Sequence, residues 1–143
     1  MGLLNLFNNY DKKKRRSHFK NLFAVARADG DVDRAEMDLV IGLAEKFHMS
    51  TEEVTKIIRD PEAVPLVTPK TPEERMEHLY HLITVMLVDG KIDQKELFLC
   101  KSLGVKLGCG EDTVDSVVRE LIEMALNSTP PEKAVERLVG KYH

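Results

Sequence analysis

The sequence predicts an all-α protein, with seven to eight helices in two pseudo-symmetric repeats packed into one compact bundle. An ungapped duplication is the first sign. Ala28-Asp29-Gly30-Asp31-Val32-Asp33-Arg34-Ala35-Glu36 returns sixty residues later as Val88-Asp89-Gly90-Lys91-Ile92-Asp93-Gln94-Lys95-Glu96. Residues 17–59 and 77–119 coincide at twelve positions, among them His18/His78, Leu22/Leu82, Gly30/Gly90, Glu36/Glu96 and Leu43/Leu103, and a repeat at fixed spacing decides the architecture before local detail does. Secondly, apolar residues recur at steps of three and four, and no segment shows sustained two-residue alternation. Helix-start signatures also punctuate the chain at regular intervals.

Residues 1–16 read as an apolar and basic segment, with Leu3, Leu4, Leu6 and Phe7 followed by Lys12-Lys13-Lys14-Arg15-Arg16. Residues 17–143 read as the helical domain, with repeat one at 17–59, a linker at 60–71, repeat two at 72–119 and C-terminal helices to 143. Phe19, Leu22, Phe23, Val25 and Ala26 set a first helix over about 17–28. Gly30 follows it as the left-handed residue after a helix end. Asp33 and Glu36 have capping-box spacing, and Leu39, Val40, Leu43, Ala44 and Phe47 form the stripe of the next helix. Ser50-Thr51-Glu52-Glu53 opens a third, to about 59. Pro61, Pro65 and Pro69 mark the linker. Thr71-Pro72-Glu73-Glu74 places Pro in a first helical turn and restarts the plan at 72–88, 94–107 and about 111–126. Thr129-Pro130-Pro131-Glu132 begins a last helix with the stripe Ala134, Val135, Leu138 and Val139, closed by Gly140.

Composition bounds the function. Charged residues are 31% and apolar residues 43%, as in an ordinary globular helical domain. No apolar run approaches the roughly 20 residues that span a bilayer. The first residues lack the basic-then-apolar order of a signal peptide, so a cytoplasmic location is expected. Cys100 and Cys109 would stand about 13 Å apart on a helix, too far for a disulfide, and read as small core residues. The net charge of −3 is uneven: residues 1–20 hold six Lys or Arg and one Asp, and the remainder holds 15 against 23 acidic residues. An acidic body favours cations or basic partners over nucleic acid.

The two turns are the candidate site. Residues 18, 22, 25 and 29 lie in one helical stripe, as do 36, 39 and 43. Asp29, Asp33 and Glu36 are therefore expected to meet at the first turn, and Asp89, Asp93 and Glu96 at the second. Capping explains Gly30, Asp33 and much of Glu36, but not Asp29. A carboxylate in a last helical turn meets the negative end of the helix dipole, at a cost of about 0.3–1 kcal/mol. Either exposed amides of a neighbouring helix start receive it or a cation does. An EF-hand is excluded, because its Gly at position six and Glu at position twelve are here Arg34 and Val40. A hard divalent cation (Ca²⁺, Mg²⁺ or Mn²⁺) on Asp29, Asp31, Asp33 and Glu36 remains open. Lys91 replaces Asp31 in repeat two, so the second site should be weaker.

The Ala-Asp-Gly-x-Val-Asp-x-x-Glu turn, its second copy and the helical frame resemble the TerB-like family, which includes tellurite-resistance TerB and the central domain of DjlA-type co-chaperones. The resemblance covers most of residues 17–126. It implies a compact fold of two pseudo-symmetric halves and a place in bacterial stress-response systems. It also implies metal-binding acidic residues, which carry over to Asp29, Asp33, Glu36, Asp89, Asp93 and Glu96. Without a His-Pro-Asp tripeptide there is no J-domain, and no transmembrane anchor accompanies the turns.

Other constellations are weaker. His78 and His81 have the three-residue spacing of zinc-binding imidazoles, yet Asn21 stands where repeat one would need the second. His78 falls on the buried seam and His81 is expected half exposed, so packing explains them better. The basic run reads as solvated or, joined to Leu3, Leu4, Leu6 and Phe7, as a contact for an acidic membrane surface through residues 3–16. Leu6 stands where myristoylation needs Ser or Thr, and no aromatic platform supports nucleic-acid binding. No phosphate loop, nucleophile elbow or metalloprotease motif is present. The expectation is a non-enzymatic interaction or sensor module with a protein partner.

Overall fold

The computed structural model describes residues 9–28, 30, 32–88 and 90–142. These form α1 (Asn9–Ala26), α2 (Arg34–Lys46), α3 (Thr51–Arg59), a 3-10 turn (Pro61–Ala63), α4 (Pro72–Leu87), α5 (Gln94–Lys106), α6 (Val114–Leu126) and α7 (Pro131–Tyr142). The seven α-helices agree with the predicted class, and no strand occurs among the described residues. The duplication is visible in the bounds, since α2 and α5 begin and end sixty residues apart. No helix among the described residues is long and apolar enough to cross a membrane.

Helix starts follow the capping residues. Asp33 and Ser50 each accept the amide three residues on and receive a return bond from Glu36 and Glu53. Thr71 caps α4 with Pro72 in its first turn, and Asp93 accepts the Lys95 and Glu96 amides. Gly30 and Gly90 have φ +102° and +80°, the left-handed conformation that only a residue without Cβ adopts freely.

The matched first helices, α1 and α4, form the centre. α4 packs against α1, α2, α5, α6 and α7, while α1 also packs against α2, α3 and α5. Their stripes supply Phe19, Leu22, Val25 and Ala26 and, from α4, Leu79, Leu82, Ile83, Val85 and Met86, all buried. Val40, Cys100, Leu103, Val117, Leu121, Ala134 and Leu138 close the core from the outer helices. Apolar burial of this kind supplies most of a helical domain's stability.

Three local expectations are corrected. The first helix starts at Asn9 rather than near 17, so the basic run is its first half. Lys14 bonds Glu74 and Arg16 bonds Glu53, and these partners hold a cationic stretch in helical form. α6 starts at Val114 because Gly110–Thr113 is taken up by a turn whose Thr113 side chain bonds the Gly110 carbonyl. Gly140 does not close α7, which continues to Tyr142. Tyr142 and Lys141 both bond Glu120 of α6, which ties down the last turn.

Candidate functional site

Each repeat turns a helix end back into a helix start over six or seven residues. In repeat one, α1 ends at Ala26, the Gly30 amide bonds the Arg27 carbonyl at 3.0 Å, and Asp33 begins α2. In repeat two, α4 ends at Leu87, the Gly90 amide bonds the Leu87 carbonyl at 2.9 Å, and Asp93 begins α5. Asp33 Oδ1 accepts the Glu36 amide at 2.8 Å, and Glu36 Oε1 accepts the Asp33 amide at 3.3 Å. Asp93 Oδ1 accepts the Lys95 and Glu96 amides at 2.8 and 3.1 Å.

Glu36 and Glu96 are the unusual members. Each is only 2% exposed, although a glutamate in a first helical turn has a free route to solvent. Burying a carboxylate is costly unless donors or a cation meet it. The same residue type is buried at the same register in both repeats, so the turn environment is built to hold an anion. Asp33 is exposed at the rim and Asp93 is half-buried. Asp33 and Glu36 thus close the capping box that their spacing predicted, and Asp93 caps α5 through the Lys95 and Glu96 amides. Asp29, Asp31 and Asp89, the other residues assigned to the two sites, lie outside the described residues. Among the described residues alone, no group of three His, Cys, Asp or Glu side chains is arranged to hold a metal ion. Oxygen donors with one buried and one rim carboxylate per turn have the hardness that Ca²⁺, Mg²⁺ or Mn²⁺ prefers.

Sequence reasoning misplaced His81. It is 8% exposed, as buried as His78, because its ring reaches the matched helix and bonds His18. The signal was present: His18 and His78 are repeat mates, and residues 21 and 81 lie one turn beyond them on the same faces. The cysteines offer no nucleophile of note. Cys100 is fully buried and its thiol is pushed up to about 12 by burial and by Glu96. Cys109 is half-buried and free.

A family model described as tellurite resistance protein TerB matches residues 3–59. The match takes in α1, the first acidic turn, α2 and α3, and ends before repeat two. No curated protein and no solved structure matches the chain.

Proposed function

We propose that the chain, whose residues 3–59 match the TerB family model, is a non-enzymatic sensor or interaction module whose duplicated acidic turns take a divalent cation. One observation carries this reading: Glu36 and Glu96, at matched positions, are both buried directly behind a carboxylate-bearing turn. A cation there would draw on Asp29, Asp31, Asp33 and Glu36 in the first turn, and on Asp89, Asp93 and Glu96 in the second. It would act on the chain by tying the end of each repeat's first helix to the start of its second, which stiffens the hairpin that a protein partner would read. Lys91 makes the second site the weaker one. The place of such a module in bacterial stress response, tellurite included, rests on the family alone.

Thermal unfolding of chelator-treated protein with Ca²⁺, Mg²⁺ or Mn²⁺ added is the test. Binding to the folded state alone raises Tm with ligand concentration. Asp29→Asn with Asp89→Asn should remove the shift. An unchanged Tm for every cation would dismiss the cation part of the proposal.

A second reading draws on a cleft of about 780 Å³ between α1 and α3, where Lys13, Arg16, Lys56 and Arg59 alternate with Glu52, Glu53 and Asp60 over Ile57, Val64 and Pro65. Its four cations and apolar floor suit an acidic membrane surface meeting residues 3–16, whereas its three carboxylates oppose one. Lys14 and Arg16, however, already pair with Glu74 and Glu53. Co-sedimentation with phosphatidylserine vesicles, with and without residues 1–16, separates the two readings.

A further inference from the structure

A buried cluster of imidazoles lies where the repeats meet. His18 of α1 stacks on His78 of α4, with ring centroids 3.7 Å apart and planes inclined by 11°. His81, one turn further along α4, is hydrogen-bonded to His18, Nδ1 to Nε2, at 3.0 Å. Phe47, at the end of α2, covers both, with its ring centroid 5.3 Å from that of His18 and 5.7 Å from that of His81. The three histidines are 3–8% exposed. Asn21, which stands in repeat one where His81 stands in repeat two, is buried beside His18 on α1. Neither Asn21 Nδ2 nor His18 Nδ1 has a hydrogen-bond partner among the described residues.

Among the described residues, the charged groups that act on the rings are lysines. From α1 the cluster faces Lys14, and from α2 it faces Lys46. From α4 come Glu74, which is taken by Lys14, and Glu77 at the rim. The Glu77 carboxyl is raised by partial burial and by Glu74, with Glu132 of α7 adding to it and Lys46 and Lys14 opposing. A proton on any ring would place a cation between two imidazoles and two lysines in a site closed to water. A buried uncompensated charge is among the most disruptive events a core can meet.

We propose that His18, His78 and His81 form an acid-sensitive latch between the two repeats, closed while all three rings are neutral and released when a ring is protonated, so that α1 and α4 part. Burial first, then the neighbouring rings and Lys14, hold His18 well below its ordinary value. Burial and His81 take His78 to about 3, and burial with Lys46 takes His81 to about 4. The closed state therefore excludes protons that the open state accepts. The bias towards the open state begins below the ordinary histidine value and grows as the pH falls towards about 4.

Tm and urea midpoints measured from about pH 7.5 down to about pH 5 test this, because carboxylates at their ordinary values change little in that interval and Glu77, whose carboxyl is raised, acts with the opposite sign. The wild type should lose stability steadily below about pH 6.5. H78F/H81Q keeps a ring against His18 and an amide for its hydrogen bond, and should lose well under half as much. Histidine ring NMR on the wild type gives an independent reading if that variant does not fold. Its buried imidazoles should stay neutral to below about pH 5, with amide protection of α1 and α4 falling together. A flat stability profile, an acid loss undiminished in H78F/H81Q, or buried rings that charge near pH 6.5 while the fold stays closed would each overturn the latch.

Discussion

His18 and His78 hold the same place in the two repeats and lie face to face, 3.7 Å apart. The stack sits between the first helices of the two repeats, and each repeat uses the other's first helix as a wall of its core. Each acidic turn follows the end of one of these two helices.

Stability should depend on pH with a definite sign. The three histidines are held below their ordinary value of 6.5 when folded, so the unfolded chain binds more protons in the interval below 6.5. Stability is then full above about 6.5 and falls as pH drops towards the folded values, by up to about 1.4 kcal/mol per pH unit for each ring. Three rings give up to about 4 kcal/mol per unit, a large part of a small domain's total. Urea unfolding at a series of pH values reads this slope directly.

His48 should be improvable. It has φ +61°, while its mate Gly108 has φ +113°. A side chain in the left-handed region costs about 1–2 kcal/mol, partly returned by the freedom that glycine has when unfolded. His48→Gly is expected to raise stability by up to about 1 kcal/mol. Gly108→Ala should lower it by about 1–3 kcal/mol, since a Cβ there would also meet Arg75 Cδ and Nη1 at 2.9 Å. Denaturant midpoints of the pair decide the matter.

The caps should be independent. Asp33→Ala removes the bond to the Glu36 amide, and Asp93→Ala removes those to the Lys95 and Glu96 amides. Each is expected to cost about 1 kcal/mol. The two lie on different helices with no shared partner, so the double variant should lose close to the sum.

Cys100 and Cys109 should differ in reactivity. Cys100 is fully buried, its thiol directed at the Leu82 carbonyl at 3.7 Å and pushed up to about 12 by burial and by Glu96. Alkylation of Cys100 should need opening of the core and run on the order of 10³-fold slower than at half-buried Cys109. Mass spectrometry of iodoacetamide-treated native protein measures the ratio.

Much of this was legible because the repeats check each other. Gly30 and Gly90 reveal the turns, Asp33 and Asp93 the starts of α2 and α5, and the matched apolar stripes the central pair of helices. What escaped depends on tertiary contact. Nothing local says that Lys14 and Arg16 find Glu74 and Glu53, which lets α1 run back through five consecutive cations. Nothing local places His81 inside, since its partner His18 is 63 residues away. Gly140 looked like a helix stop, but the Tyr142 and Lys141 bonds to Glu120 carry α7 past it. The meeting of Asp33 with Glu36 was readable because a capping box is a four-residue device.

The proposed binding of a cation at the turns is tested most directly by titrating Mn²⁺ into isotopically labelled protein and following amide broadening by NMR. The expected result is selective loss of the Gly30 and Val32 signals first, then of Gly90 and Ile92 at higher Mn²⁺, with Asp29→Asn sparing the first pair. Broadening that starts elsewhere, for instance along the Glu73, Glu77, Glu132 and Glu136 groove, or that ignores Asp29→Asn, would contradict the account.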